Sequence, residues 1–317
     1  MSPAPTMHAR VEAYLAARRS LGFDLRIDGR QLLSFARFAD HAGHQGPLTV
    51  AVAVRWAQRA RRATRLTWAR RLQVLRPFMK YRAQFETGTE IVPSSLFGPV
   101  HRRLVPHIFT EAEIRALLDG AAQLRSVMGL RLRPHTYATL FGLLASTGLR
   151  ISEALALTPM DVDLSGAALT VRKTKFRKSR LVPLHPTTVA ALKRYADARR
   201  HRVSDRHIKT FLISDRGTPL GDRMVHHTFA SLRARLGWIG RGDYALPRVH
   251  DLRHTFLCRA LVRSYQQAQG VDHVIDLLAT YVGHASVADT YWYVTAIPDL
   301  LALAGQRFAQ SAERGAS

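Results

Sequence analysis

Val282-Gly-His-Ala-Ser-Val-Ala-Asp-Thr-Tyr-Trp-Tyr-Val294 sets His284 nine residues before Tyr293, with Thr290 between them. Upstream lies Val249-His-Asp-Leu-Arg-His254, and further back Ser146-Thr-Gly-Leu-Arg-Ile-Ser-Glu153. In order, these pieces carry Arg150, His250, Arg253, His284 and Tyr293. Transfer of a phosphoryl group to a tyrosine needs such a set. Cations hold the phosphate oxygens, imidazoles form hydrogen bonds, and a phenol attacks.

The composition fits a device that presents a polyanion to these residues. The chain has 317 residues, enough for two domains with their own cores, and 47% of them are hydrophobic. Its formal net charge is +24, from 47 Lys+Arg against 23 Asp+Glu. Residues 1–95 hold 16 basic and 6 acidic residues, and residues 96–317 hold 31 and 17. The excess is spread over both halves, which favours a long polyanion touching both over a basic tail. One cysteine, Cys258, excludes an intrachain disulfide, and no Cys/His metal spacing appears. The first residues lack the apolar run of a signal peptide, and no stretch approaches a membrane span. A cytoplasmic protein is expected.

Taken in order, the chain is mostly helical. Helices are expected over His8–Arg19, Gln31–His41, Val50–Ala60 and Arg65–Phe85, the last two capped by Thr49 and Thr64. On the last, Leu66, Leu72, Leu75 and Met79 form an apolar stripe. Arg65, Arg70, Arg71, Arg76 and Lys80 supply charge, and no acid occurs between Arg55 and Phe85. A solvated helix mixes signs, so this one is read as facing DNA. Residues 86–106 have the proline and glycine content of a linker, so the domains are placed at 1–90 and 107–317, joined by 91–106.

Beyond it, Thr110-Glu-Ala-Glu113 is a capping box opening a helix to about Ala122. Further helices are expected at Pro134–Thr147, Ile151–Leu157, Pro186–His201, Gly221–Leu236, Asp251–Tyr265, Val271–Tyr281 and Val287–Tyr293, with a last one at Pro298–Gln310. Ala168–Arg172 and Leu181–Leu184 read as a hairpin, and Thr210–Ser214 as a strand. The fold class is mainly α with a small antiparallel β-sheet.

Arg150 and Arg253 offer rigid bidentate forks to the nonbridging oxygens of a phosphodiester under attack. Glu153, one turn on, orients Arg150 or His250, unless it is a surface carboxylate. His250 can accept the proton of an attacking phenol, whose reference pKa is near ~10. His254 is read as structural, facing away from the site. Between Arg172 and Arg180 there are six basic residues in nine: Arg172, Lys173, Lys175, Arg177, Lys178 and Arg180. The run binds backbone phosphate, and one of its lysines can protonate a leaving 5′-oxygen. Tyr291 and Tyr293 compete as nucleophile. No acidic cluster suits a pair of Mg²⁺ ions, so neither a metal nor another cofactor is expected.

In this ordered set, residues from about 107 to 300 resemble the catalytic domain of the tyrosine recombinase (phage integrase) family. The N-terminal helices resemble that family's core-binding domain. The dispersed motif falls on Arg150, Glu153, Lys175, His250, Arg253, His284 and Tyr293. Within the basic run the resemblance selects Lys175 over Lys173 and Lys178, and between the tyrosines it selects Tyr293. It implies a 3′-phosphotyrosyl link to double-stranded DNA, reversal by a partner strand's 5′-hydroxyl, and four protomers assembled on two sites. It also implies that Pro298–Gln310 docks on a neighbouring protomer. Two rival readings stay open: a type IB topoisomerase-like enzyme and a non-catalytic DNA-binding regulator.

Overall fold

A computed structural model describes residues 5–59, 64–99, 104–126, 129, 131–172, 179–203, 208–267, 271–284 and 286–296. The chain divides into two compact units, residues 1–103 and 104–317.

The first unit is built of α1 (Met7–Ser20), α2 (Arg26–His41), α3 (Val50–Gln58) and α4 (Arg65–Ala83). Thr6, Thr49 and Thr64 cap α1, α3 and α4 by accepting from Ala9, Val52 and Thr67 backbone N–H groups. Asp40 in α2 also accepts from the first amides of α1, at 2.7 Å from Met7 N and 3.0 Å from His8 N. Helix α2 begins five residues before the expected Gln31, at a left-handed Leu25 with φ 45°. Val11, Leu15, Leu32, Phe35, Trp56, Leu75, Phe78 and Met79 are buried between the helices. Phe35 meets Trp56 edge-on at 5.5 Å.

The stretch read as a linker is docked at both ends rather than free. Val92 is buried in this first core, and Phe97 packs edge-on against Trp68 at 5.4 Å. Past the undescribed 100–103, Val105 exchanges bonds with Asp243: its N–H donates to the carboxylate, and its carbonyl accepts from the Asp243 amide. Pro and Gly composition reports turns, and here the turns are packed ones.

The second unit comprises α5 (Glu111–Ala122), α6 (Arg133–Thr147), α7 (Ile151–Ala156), β1 (Val162–Asp163), β2 (Ala168–Val171), β3 (Arg180–Pro183), α8 (Pro186–Arg200), α9 (Asp222–Arg235), α10 (Asp251–Gln266), α11 (Val271–Val282) and α12 (Ala288–Ala296). The capping box at Thr110 and Glu113 is formed. Helix α6 is central, packing on α5, α8 and α10, with Leu140, Phe141, Leu143 and Leu144 buried. Gly148 ends it at φ 61°, and a Cβ there would lie 2.5 Å from the Phe256 ring, so only glycine fits.

The sheet is antiparallel in the order β1-β2-β3, with Val171 opposite Arg180 and Leu169 opposite Val182. Two-residue β1 was too short to show a period. The strand expected at Thr210–Ser214 does not form; Ile213 makes only an isolated bridge to Pro219. Its backbone finds other partners. Phe211 N–H donates to the Leu157 carbonyl, Ile213 N–H to the Tyr195 hydroxyl, and the Ile213 carbonyl accepts from Thr136. A second core joins α10, α11 and α12 through Leu257, Leu261, Ile275, Val282 and Tyr293. The Pro298–Gln310 helix lies outside the described residues. Among the described residues no helix is long and apolar enough to cross a membrane.

Candidate active site

Two turns and one helix start build the site. Arg150 stands just before α7, two residues past the Gly148 turn. Arg253 sits in the first turn of α10, and His284 follows the turn that closes α11. Arg253 donates to the Gly148 carbonyl at 2.7 Å and to the Val282 carbonyl at 2.8 Å. Arg150 donates to the next carbonyl, Gly283, at 2.9 Å. The two guanidiniums therefore grip adjacent peptides of one turn and are held close together. Arg253 is buried, and its pKa is pushed down to about 10, by burial first and then by the nearby Arg150 charge. Arg150 keeps about a third of its side chain exposed, 32%.

Glu153 is the shared counter-ion. It accepts from Arg150 Nη1 at 2.9 Å and from the Arg150 backbone N–H at 3.0 Å. Arg180 reaches it from β3 with both Nη atoms, at 3.1 and 2.9 Å, while Arg180 Nε donates to the Tyr281 carbonyl at 2.7 Å. Against the burial that alone would raise it, these cations hold the Glu153 carboxyl below its ordinary value. Glu153 is thus a buried bridge rather than a surface carboxylate.

Arg180, expected to bind DNA, is held inside the protein. Its side chain is only 11% exposed and its fork is occupied by Glu153. Around this carboxylate three guanidiniums meet one negative charge, which leaves a local excess suited to an anion.

Gly283 serves this clasp. Its φ is 68°, and a Cβ would lie 2.8 Å from Arg180 Nη1. Gly283→Ala is expected to cost about 1–2 kcal/mol in backbone strain and to push Arg180 off Glu153. Chemical denaturation and a DNA-cleavage rate should both register the loss.

His284 is half-buried, and its Nδ1 lies 2.7 Å from Thr290 Oγ1. Burial, then Arg253 and Arg150, push its pKa down to about 4. His250 is solvent-accessible at its edge, yet the surrounding protein and then Arg253 and Arg248 push its pKa down to about 4.

Tyr293 is buried, at 4% exposure, whereas Tyr291 is 44% exposed. The Tyr293 hydroxyl hydrogen-bonds to Nδ1 of His254. This overturns the reading of His254 as a structural residue turned away from the site. His250 stands just before α10 and His254 four residues on, in its first turns, and their rings meet edge-on at 4.8 Å. That i, i+4 spacing was the signal that could have found His254.

The cations expected on DNA divide by environment. Arg65, Arg70 and Lys80 are exposed on α4. Arg71 instead turns inward, over the Trp56 ring at 4.3 Å, with Nη1 donating to the Ala57 carbonyl at 3.4 Å. Arg76 is half-buried, its Nε shielded from solvent. Arg172 has a 61% exposed side chain, paired with Asp161. Lys173, Lys175, Arg177 and Lys178 lie outside the described residues.

Known proteins are similar to this chain over most of its length. The phage integrase family matches residues 107–298. A putative integrase/recombinase, y4rB of Sinorhizobium fredii, is 40% identical over 307 residues, covering 95% of this chain and 96% of its own. Tyrosine recombinase XerC of a Methylobacterium species is 32% identical over 276 residues, covering 83% of this chain and 80% of its own. Among solved structures, the Tn1549 transposon integrase in complex with transposon right end DNA matches with TM-score 0.67 at 17% identity, covering 96% of this chain and all of that one (100%). XerH recombinase bound to a palindromic difH substrate, a post-cleavage complex, matches with TM-score 0.62 at 17% identity, covering 98% and 85%. At these identities the structural likeness is one of fold; the family rests on the sequence matches. The chain belongs to the phage integrase family and is a tyrosine recombinase, an enzyme of DNA cleavage and rejoining.

Proposed function

We propose that the protein is a site-specific recombinase of a mobile element that cuts double-stranded DNA through a 3′-phosphotyrosyl intermediate on Tyr293. The observation that carries this is the paired grip of Arg150 and Arg253 on the adjacent carbonyls of Val282 and Gly283. It holds two cationic forks side by side next to His284. A phosphodiester seated there would meet both forks, and His250 and His284 could hydrogen-bond its nonbridging oxygens. The Tyr293 oxygen attacks phosphorus, the bond to the 5′-oxygen breaks, and a proton from Lys175 caps the leaving group. A partner strand's 5′-hydroxyl reverses the step, with the phosphoester conserved in the protein link. The relatives named as integrases, and the transposon integrase of like fold, support a role in integration, excision or transposition. Assembly of four protomers on two sites, with Pro298–Gln310 passed in trans, belongs to the same reading.

The test begins with a DNA site that the full chain selects from a randomised pool. Two plasmids carrying that site should recombine, and a supercoiled plasmid lacking it should stay supercoiled. Efficient relaxation of the plasmid without a site would replace the reading with a topoisomerase-like one. Site binding without strand exchange or covalent attachment would replace it with a DNA-binding regulator.

Binding should weaken steeply with salt, because the charge of +24 is spread over both halves. A clamp making roughly 6–10 phosphate contacts loses about 10³–10⁵ in affinity between about 50 and 200 mM salt. Fluorescence anisotropy across that range measures the slope, and a shallow one contradicts a two-domain clamp.

A further inference from the structure

We infer that His254, and not His250, is the group that takes the proton of Tyr293 as its oxygen attacks phosphorus. The inference rests on the proposed role of Tyr293 as nucleophile and adds a catalytic residue to it. A general base must lie within hydrogen-bond reach of the proton it removes. The Tyr293 hydroxyl meets that condition with His254 Nδ1. Both partners are fixed: Tyr293 is buried, and the two rings pack at 5.5 Å. Trp292 closes the His254 ring from α12 at 6.5 Å.

The inferred role calls for one tautomer of His254. Burial and the surrounding cations keep the His254 imidazole neutral, its pKa pushed down to about 3. The groups facing it are His250 and Arg248 before α10, Arg253 in its first turn, and His284 from the turn before α12. The inferred role requires a neutral ring that accepts from the phenol at Nδ1 and carries its proton on Nε2. Burial is the largest cause, and of the others Arg248 and Arg253 are charges that a phosphate would offset. Arrival of the diester's negative charge beside Arg253 would therefore make His254 a stronger base at the moment the base is needed.

The step balances simply. The phenolic proton passes to Nδ1, the O–P bond forms, and the P–O5′ bond breaks. The 5′-oxygen receives its proton from a separate donor. The His254 imidazolium returns its proton to Tyr293 when the link is reversed. His250, open to solvent at its edge, is left to the phosphate oxygens.

The test uses the full chain and a nicked duplex carrying the selected site, with covalent adduct formation followed in single turnover. His254→Asn keeps an oxygen acceptor near the Nδ1 position but cannot take a proton. It should slow adduct formation about 10²–10⁴-fold, with site binding and melting temperature unchanged. Replacing Tyr293 by 3,5-difluorotyrosine, a more acidic phenol, should recover part of that loss in His254→Asn and not in His250→Asn.

A His254→Asn rate equal to that of the unaltered chain would reduce the contact to positioning and overturn the inference. So would equal rescue of the two histidine variants. If the unaltered chain forms no adduct, the reading of Tyr293 as nucleophile fails and the inference falls with it. Should His254→Asn not fold, imidazole nitrogen NMR of the unaltered protein decides. An Nε2–H tautomer whose Nδ1 shift moves on Tyr293→Phe is expected, and a proton on Nδ1 would overturn the inference.

Discussion

Tyr293→Phe is expected to abolish the covalent protein–DNA adduct while leaving site binding near normal. Only one oxygen is removed, and the ring that fills the core between α10, α11 and α12 remains. Among the described residues no other phenol bonds to His254. Tyr291 is 44% exposed and two residues away on the same helix, so it points elsewhere. Tyr291→Phe should accordingly keep the adduct. A nicked suicide substrate resolved on a denaturing gel gives the readout. A covalent band that persists in Tyr293→Phe and disappears in Tyr291→Phe would move the nucleophile.

Glu153→Gln should be the most damaging substitution for stability among the residues around the Gly283 turn. The carboxylate is 8% exposed and is the shared partner of Arg150 and Arg180. Breaking a buried pair by removing one partner costs about 3–5 kcal/mol, because the remaining charge stays buried and unpaired. Partial exposure of Arg150 places the expectation at the lower end, near ~3 kcal/mol, or roughly 6–12 °C in Tm for a unit of this size. The cleavage rate should fall as well, since Arg150 loses one of its two anchors.

The pH dependence has a definite sign. The folded carboxyl titrates below its ordinary value. Its stabilisation is therefore complete above the unfolded pKa and is lost as pH falls through the lowered folded value. The gap in Tm between the unaltered chain and Glu153→Gln should close in that acid window. A gap that stays constant there would show that Glu153 carries no net charge-dependent stabilisation.

What the sequence disclosed and what it hid follow from range. Thr6, Thr49, Thr64 and Thr110 act on amides three residues away, so most helix starts were legible as local chemistry. The start of α2 was not, because a left-handed Leu25 has no signature in composition. The ordered arginines and histidines stood out by residue type and order, and the fold gathers Arg150, Arg253 and His284 at one turn. Partners distant in sequence were invisible. Arg180 looked like one more cation in a basic run until Glu153, 27 residues earlier, was seen to occupy it. His254 looked redundant beside His250 until Tyr293, 39 residues on, was seen to touch it. Arg71 was counted with a charged helix face, yet its planar guanidinium lies on a tryptophan ring.

The separations around the Gly283 turn bear on how the protein is made. Arg150 waits for a carbonyl 133 residues later, and Phe109 N–H for the Thr255 hydroxyl 146 residues later. Such closures form slowly and late, since the loop entropy is lost before the contact is gained. A chain emerging from the ribosome can settle its N-terminal helices early, as domains fold in order during synthesis. The paired arginines cannot acquire their turn until residues 282 and 283 have been made. Tyr293 follows only ten residues after that turn. A nascent chain that stops short of residue 283 thus carries the basic N-terminal helices without the turn that holds Arg150 and Arg253 together.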